Sequence, residues 1–247
     1  MKRALFFDCD GVLVESGEIK TRAFARLFDA WPDKRDEIVA YHLSQAGISR
    51  FVKFRHIHAH ILGLPLSDEE TVQLGKAFSR LVMEEVLKAP LVDGVVTFLE
   101  GCPSDVRCYV ISGTPQDELD ELLEKRDLAR FFVDIIGSPT QKPDAIRAWM
   151  VRDGIAVDEA VMIGDGESDW RAAQETGIDF VARVTDENRA VLGGCTWALP
   201  DLSGLEDMLN SMNQGAKRSE PEHKGAKRSE PEKNSTAKKR RTEEQPV

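Results

Sequence analysis

Four short segments of the chain set acidic, hydroxyl and basic side chains beside turn-forming residues: Asp8-Cys9-Asp10-Gly11, Ser112-Gly113-Thr114, Lys142-Pro143 and Gly164-Asp165-Gly166-Glu167-Ser168-Asp169. Any one of them alone reads as a helix cap or a turn. Brought together, Asp8, Asp10, Asp165 and Asp169 would crowd negative charge into one small volume. Such crowding raises carboxylate pKa values or demands a cation. A hard divalent ion with few protein oxygens and several waters describes Mg²⁺. Ser112 adds a hydroxyl donor, and Lys142 adds a fixed positive charge. The set suits an anion with tetrahedral oxygens, carried on Mg²⁺ and clamped by lysine.

The elements around these segments must bring them together. Short apolar runs at 3–8, 106–112, 133–137, 160–165 and 180–184 have the length and bounding residues of buried parallel strands. Helical stretches at 115–125, 143–153 and 168–176 lie between them. This alternation predicts an α/β fold, a Rossmann-like parallel sheet, with all four segments on its carboxyl edge, where open sheets bind ligands. Residues 15–90 break the alternation. They show helical patterns at about 17–30, 34–45, 50–62 and 68–88, the last opened by a Ser67/Glu70 capping box. The expected organisation is a core of residues 1–14 and 91–212 and an all-helical cap over 15–90. Hinges are expected near 15–17 and 88–92, with the cap lying over the strand ends.

Asp8-x-Asp10-Gly11-Val12, the strand-ending Ser112, Lys142-Pro143 and Gly164-Asp165-x-x-x-Asp169 together resemble the four motifs of the haloacid dehalogenase-like superfamily, in order. The likeness spans about residues 3–211, and the subgroup it resembles is that of phosphoglycolate phosphatase and β-phosphoglucomutase. The resemblance implies that Asp8 is the nucleophile and forms an aspartyl-phosphate. It implies that Asp10 protonates the leaving alkoxide and then deprotonates water. Mg²⁺ would be held by the Asp8 and Asp165 carboxylates and the Asp10 backbone carbonyl. Ser112, the Gly113 N–H and Lys142 would bind the transferring group, with Asp169 orienting Lys142 or a metal-bound water. Relatives that cleave carbon–halogen or phosphonate bonds lack the second aspartate, so Asp10 points to phosphate monoesters. The substrate expected is a small phosphorylated metabolite, a sugar phosphate or phospho-acid.

The Gly47-Ile48-Ser49-Arg50 turn resembles the cap's substrate-specificity loop, so Ser49 and Arg50 are expected at the substrate, with Arg50 gripping a second anionic group through its fork. The competing reading is that Gly47 ends one helix, Ser49 caps the next and Arg50 is solvated. Lys76 is a weaker site of the same kind. Where the subgroup often has a His, ten positions beyond the second motif aspartate, this chain has Lys20. That departure favours hydrolysis over the rival reading, a phosphomutase. His56, His58 and His60 invite a metal reading, but alternate residues of a helix do not share a face, and only His56 and His60 are four apart. His58 falls in the apolar arc of Phe51, Phe54 and Ile61 and reads as a core-edge residue.

The net charge of −10 is a sum of unlike parts. Residues 213–247 hold ten Lys and Arg against six Glu, a direct repeat of GAKRSEPE, and no Leu, Ile, Phe, Trp, Tyr or Met. Such a segment cannot bury enough surface to offset its ordering entropy, so it is expected to be a disordered tail. The 23 basic and 37 acidic residues left over 1–212 make the body −14, which excludes a broadly basic nucleic-acid-binding domain. Only the tail, through Lys238–Arg241, offers a nucleic-acid patch. A non-catalytic protein acting through that tail is the rival from another class, and the complete acidic and basic set weighs against it. No apolar run approaches the ~20 residues of a membrane span. Four cysteines without metal-like spacing or disulfide density fit a reducing cytoplasm.

Overall fold

The computed structural model describes the backbone of residues 1–219 and the side chains of residues 1–214. Its centre is β1 (Ala4–Phe7), whose four residues are all fully buried. That is why this strand reads as an unbroken apolar run: both faces of the sheet are covered. Ala4 and Phe6 pack with Tyr109, Ile111, Trp149 and Met162 on one face. Leu5 and Phe7 pack with Val110, Leu119, Val161 and Ile163 on the other. The alternation is the period of two that a pleated strand imposes.

β1 is flanked by β2 (Arg107–Pro115) and β4 (Ala160–Gly164), and the sheet continues to β3 (Asp134–Ser138), β5 (Asp179–Arg183) and β6 (Ala198–Leu199). All pairings are parallel, in the order β3-β2-β1-β4-β5-β6. The chain winds outward from β1 in one direction and then, from β4, in the other. A ligand crevice opens at the carboxyl ends where that direction reverses. Helices α6 (Gln116–Lys125), α7 (Lys142–Asp153) and α8 (Glu167–Thr176) cover the faces.

Residues 17–88 contain helices and no strand: α1 (Gly17–Leu27), α2 (Arg35–Ser44), α3 (Arg50–His56) and α4 (Asp68–Lys88). Their shared core is Phe24, Phe28, Ile38, Phe54 and Phe78, with the Phe24 and Phe78 ring centroids 4.8 Å apart. The Ser67–Glu70 capping box opens α4, with bonds of 3.2 and 2.8 Å. The expected helix over 50–62 changes character at Ile57, where α3 passes into a π-helical turn (Ile57–Leu62). His58 is buried there beside Phe28 and Trp31, and both of its ring nitrogens lack a hydrogen-bond partner among the described residues. His56 stacks on Tyr41 and neighbours His60, so the three histidines do not share a site. The two linkers to this helical unit meet at an antiparallel bridge between Val14 and Leu91, and the Glu15 N–H donates to the Pro90 carbonyl at 2.9 Å. Arg183 fixes the same point by donating to both Glu15 carboxylate oxygens, at 2.6 and 2.9 Å.

Sequence periodicity did not predict α5 (Val95–Gly101), α9 (Arg189–Leu192), β6 or α10 (Leu205–Ser219). The first three span seven, four and two residues, too short for a periodic signal. α10 buries Leu205, Leu209 and Met212 on one stripe and runs seven residues past the tail boundary expected at Asn213. The rest of that tail, with its second repeat and the Lys238–Arg241 patch, lies outside the described residues. Among the described residues no helix is long and apolar enough to cross a membrane.

Candidate active site

The site forms where β1 and β4 end side by side, joined across their tips by the Asp8 N–H and the Ile163 carbonyl at 3.0 Å. Asp8 is 1% exposed, and one of its carboxylate oxygens accepts the Cys9 N–H at 2.8 Å. Lys142, the first residue of α7, reaches into the same volume. Its Nζ lies 3.1 Å from Asp8 Oδ1 and donates to Asp169 Oδ1. The other Asp169 oxygen accepts the Gly166 N–H at 3.0 Å, so Asp169 is spent on positioning Lys142 and the turn into α8. Asp8, Asp165 and Asp169 each bring an oxygen within 4.8 Å of the others.

Electrostatics set these carboxylates apart. Burial pushes Asp8 up to about 7, with the Asp169 and Asp10 charges adding to it and Lys142 opposing it. Burial, then Asp8 and Asp169, push Asp165 well above the usual carboxylate range. Burial alone would discharge Lys142, but the Asp169 and Asp8 carboxylates outweigh it and hold the ammonium charged. The Asp165 carboxylate accepts no hydrogen bond among the described residues. Its backbone carbonyl is held instead, by Asn188 Nδ2 at 2.8 Å. Two crowded carboxylates, a buried Asp8 and a half-buried, donor-free Asp165, form a hard oxygen set that fits a divalent cation such as Mg²⁺.

Asp10 turns away from this cluster. Its Oδ1 accepts from Ser16 Oγ at 2.6 Å. Its Oδ2 accepts from Thr114 Oγ1 at 2.8 Å and lies 2.5 Å from Lys20 Nζ. Burial works against the Asp10 charge, but Lys20 and the two hydroxyls overcome it and hold the carboxyl well below its ordinary range. Ser112, 2% exposed, points its hydroxyl at Asp10 Oδ2 from 3.4 Å and accepts the Thr114 N–H at 3.1 Å. Ser16, Lys20 and Thr114 are therefore site residues that the motif reading passed over. Lys20 stood out in the sequence only as the residue replacing a histidine, and Ser16 lies one helical turn before it.

The Gly47–Arg50 turn descends onto the core. Ser168 Oγ donates to the Ala46 carbonyl at 2.9 Å. A Cβ on Gly113 would fall 2.6 Å from the Gly47 carbonyl, which only glycine allows. Gly47 itself has φ +76° and would drive a Cβ into Ser168 Oγ. Ser49 precedes α3 as its cap residue without a side-chain capping bond.

Arg50 lines the cavity with its fork already paired inside the protein. It is not solvated, being 5% exposed, and its guanidinium is spent on Glu118 of α6 in a bidentate pair at 3.1 and 2.6 Å. Ser79 Oγ accepts from it at 3.0 Å, and the Phe78 ring lies 4.6 Å away. Arg50 thus latches α3 to the sheet side, because Glu118 already neutralises the fork. Lys76 is exposed and does not line the cavity. That cavity, about 260 Å³ between sheet edge and helices, is lined by Asp10, Lys20, Lys53, Gly113, Thr114 and Asp165 among others.

Residues 5–183 match the model of the family described as haloacid dehalogenase-like hydrolase. The chain is 25% identical over 236 residues to phosphoglycolate phosphatase of Rhodospirillum rubrum, covering 88% of this chain and 95% of that one. To phosphoglycolate phosphatase 1 of Pseudomonas aeruginosa it is 27% identical over 190 residues, 74% of this chain and 69% of that one. β-Phosphoglucomutase from Clostridium difficile shares the fold at TM-score 0.70 and 16% identity, over 88% of this chain and all of that one. A mutant CbbY from Rhodobacter sphaeroides, in complex with xylulose-1,5-bisphosphate, does so at 0.65 and 18%, over 83% and 96%. The family match spans most of the chain, and its motif residues meet at one sheet edge: the protein belongs to the haloacid dehalogenase-like hydrolases.

Proposed function

We propose that the protein is a Mg²⁺-dependent phosphatase that hydrolyses a small phosphorylated metabolite through an aspartyl-phosphate on Asp8. The observation that carries this reading is Lys142, held charged between Asp8 and Asp169 and beside a donor-free Asp165. Asp8 is the buried oxygen nucleophile, placed to attack phosphorus and expel the alkoxide. Lys142, with Ser112 and the Gly113 N–H, would stabilise the oxygens of the transferring group. The Asp8 and Asp165 carboxylates and the Asp10 backbone carbonyl would hold Mg²⁺, which supplies charge neutralisation between nucleophile and phosphoryl oxygens.

Asp10 serves both halves of the reaction, giving a proton to the leaving oxygen and taking one from the hydrolytic water. Its ionised state beside Lys20 favours the second half, because a carboxylate is ready to accept. Proton transfer of this kind contributes about 10²–10⁴ in rate. The relatives named phosphoglycolate phosphatase put phospho-acids first among substrates. A cytoplasmic location belongs to the same reading, on the spacing of the four cysteines in the sequence.

The test is phosphate release from p-nitrophenyl phosphate and from phosphoglycolate. Asp8→Asn is expected to lower it by about 10⁴-fold or more, and EDTA to abolish it until Mg²⁺ is restored. Full activity in Asp8→Asn would remove the covalent mechanism. A phosphomutase would share the same intermediate, and isomerised sugar phosphate appearing faster than free phosphate would select it.

A further inference from the structure

Three cations face the cavity from the helical side, and two are already neutralised. Lys20 pairs with Asp10 at 2.5 Å, and Arg50 pairs with Glu118. The third, Lys53 of α3, is 4% exposed. Its Nζ donates to the His42 carbonyl at 3.2 Å and meets His42 Nδ1 at 3.3 Å, and it stands 5.6 Å from the Phe24 ring centroid. Among the described residues no carboxylate lies within 4.0 Å of it. His42 does not compete for protons: burial, Lys53 and Lys20 push it down to about 2, so its ring is a neutral acceptor.

A buried ammonium without a counter-charge is costly in the absence of a ligand. Burial, with the Lys20 and Arg50 charges, accordingly pulls the Lys53 amine down to about 7, while Asp10 and Asp165 act the other way. The missing counter-charge is supplied most simply from the cavity the amine lines. About 260 Å³ accommodates a phosphomonoester of a few carbons beside it.

We propose that Lys53 is the specificity-determining residue of the pocket and pairs with an anionic group on the leaving alcohol of the substrate. The substrate class is then a small phosphomonoester whose alcohol carries a carboxylate or a second phosphate. This inference rests on the phosphatase reading of the same site and names the residue that selects within it.

The discriminating pair of substrates is phosphoglycolate and 2-hydroxyethyl phosphate, alike in size but ending in a carboxylate or a neutral hydroxyl. Wild-type kcat/KM should favour the carboxylate ester by about tenfold to hundredfold, the range of one charge-assisted hydrogen bond in a buried site. In Lys53→Met that ratio should fall by at least about tenfold, chiefly through KM for the carboxylate ester. A wild-type enzyme that treats the two esters alike overturns the proposal without any variant. So does a Lys53→Met enzyme that folds, by circular dichroism, and keeps the wild-type ratio. Absence of phosphate release from every ester in the wild type would instead sink the phosphatase reading.

Discussion

The sheet side of the site and the helical wall of the cavity hold their buried cations in opposite ways. On the sheet side, Lys142 sits between Asp8 and Asp169, compensated before any ligand arrives. On the helical wall, Lys53 has, among the described residues, only a neutral imidazole and a carbonyl. A compensated charge is preorganised and acts on whatever phosphoryl group is bound, whereas an uncompensated one depends on what the ligand brings. On the proposed function, chemistry common to many substrates would be built into the sheet edge, and choice among substrates into the helices. Arg50 marks the boundary, since its pair with Glu118 spends a helical-wall cation on holding the two sides together.

The largest effect that could break this contrast is on the sheet side. Lys142→Met leaves Asp8 and Asp169 buried without their cation, and removing one partner of a buried pair costs about 3–5 kcal/mol. Urea unfolding at pH 7 should show that loss, and part of it should return at lower pH as Asp8 protonates. No loss of stability would mean that the sheet-side cation is not preorganised as described.

The Arg50 latch comes next. Arg50→Met strands Glu118, which is partly exposed, so about 2–3 kcal/mol is the expected loss. Adding Glu118→Leu should recover most of it, because the unpaired charge and not the missing contact dominates. If the double variant remains as unstable as the single one, the pair is not what joins the two sides.

The smallest effect sharpens the helical wall. His42 stays neutral in the fold, pushed down to about 2 from its ordinary 6.5, first by burial and then by Lys53 and Lys20. The unfolded chain therefore binds a proton below pH 6.5 that the folded chain refuses. This contribution is fully present above pH 6.5 and is lost as pH falls. It amounts to about 2 kcal/mol between pH 7 and pH 5. Asp8 is shifted upward and acts with the opposite sign over the same range, so the wild type must be compared with His42→Gln. The difference between their stability curves should change by that amount, and parallel curves would show that His42 protonates in place.

Much of the sheet edge was legible in the sequence. The runs that become β1, β2 and β4 end at Asp8, Ser112 and Asp165 because a strand covered on both faces must be apolar until its tip, where polar groups can emerge. Lys142 was legible through its place before Pro143 at a helix start. The helical wall was legible as helices but not as a site. Arg50 and Lys53 lie one turn apart on α3, and both are cations with apolar neighbours in sequence. Nothing local says that Glu118, 68 residues away, neutralises one of them while no described carboxylate neutralises the other. The same holds for Asn188, which holds the Asp165 backbone from beyond the last motif.

The α/β alternation, the helical segment between its first two strands, and the acidic and basic set at the sheet edge are all legible along the chain. Those are read from periodicity and from side chains next to the strand tips, each within a few residues of its own strand or helix. Tertiary structure alone decided which cation has a partner, because pairing depends on side chains that the fold brings together from distant segments. That choice made Arg50 a latch and left Lys53 facing the cavity.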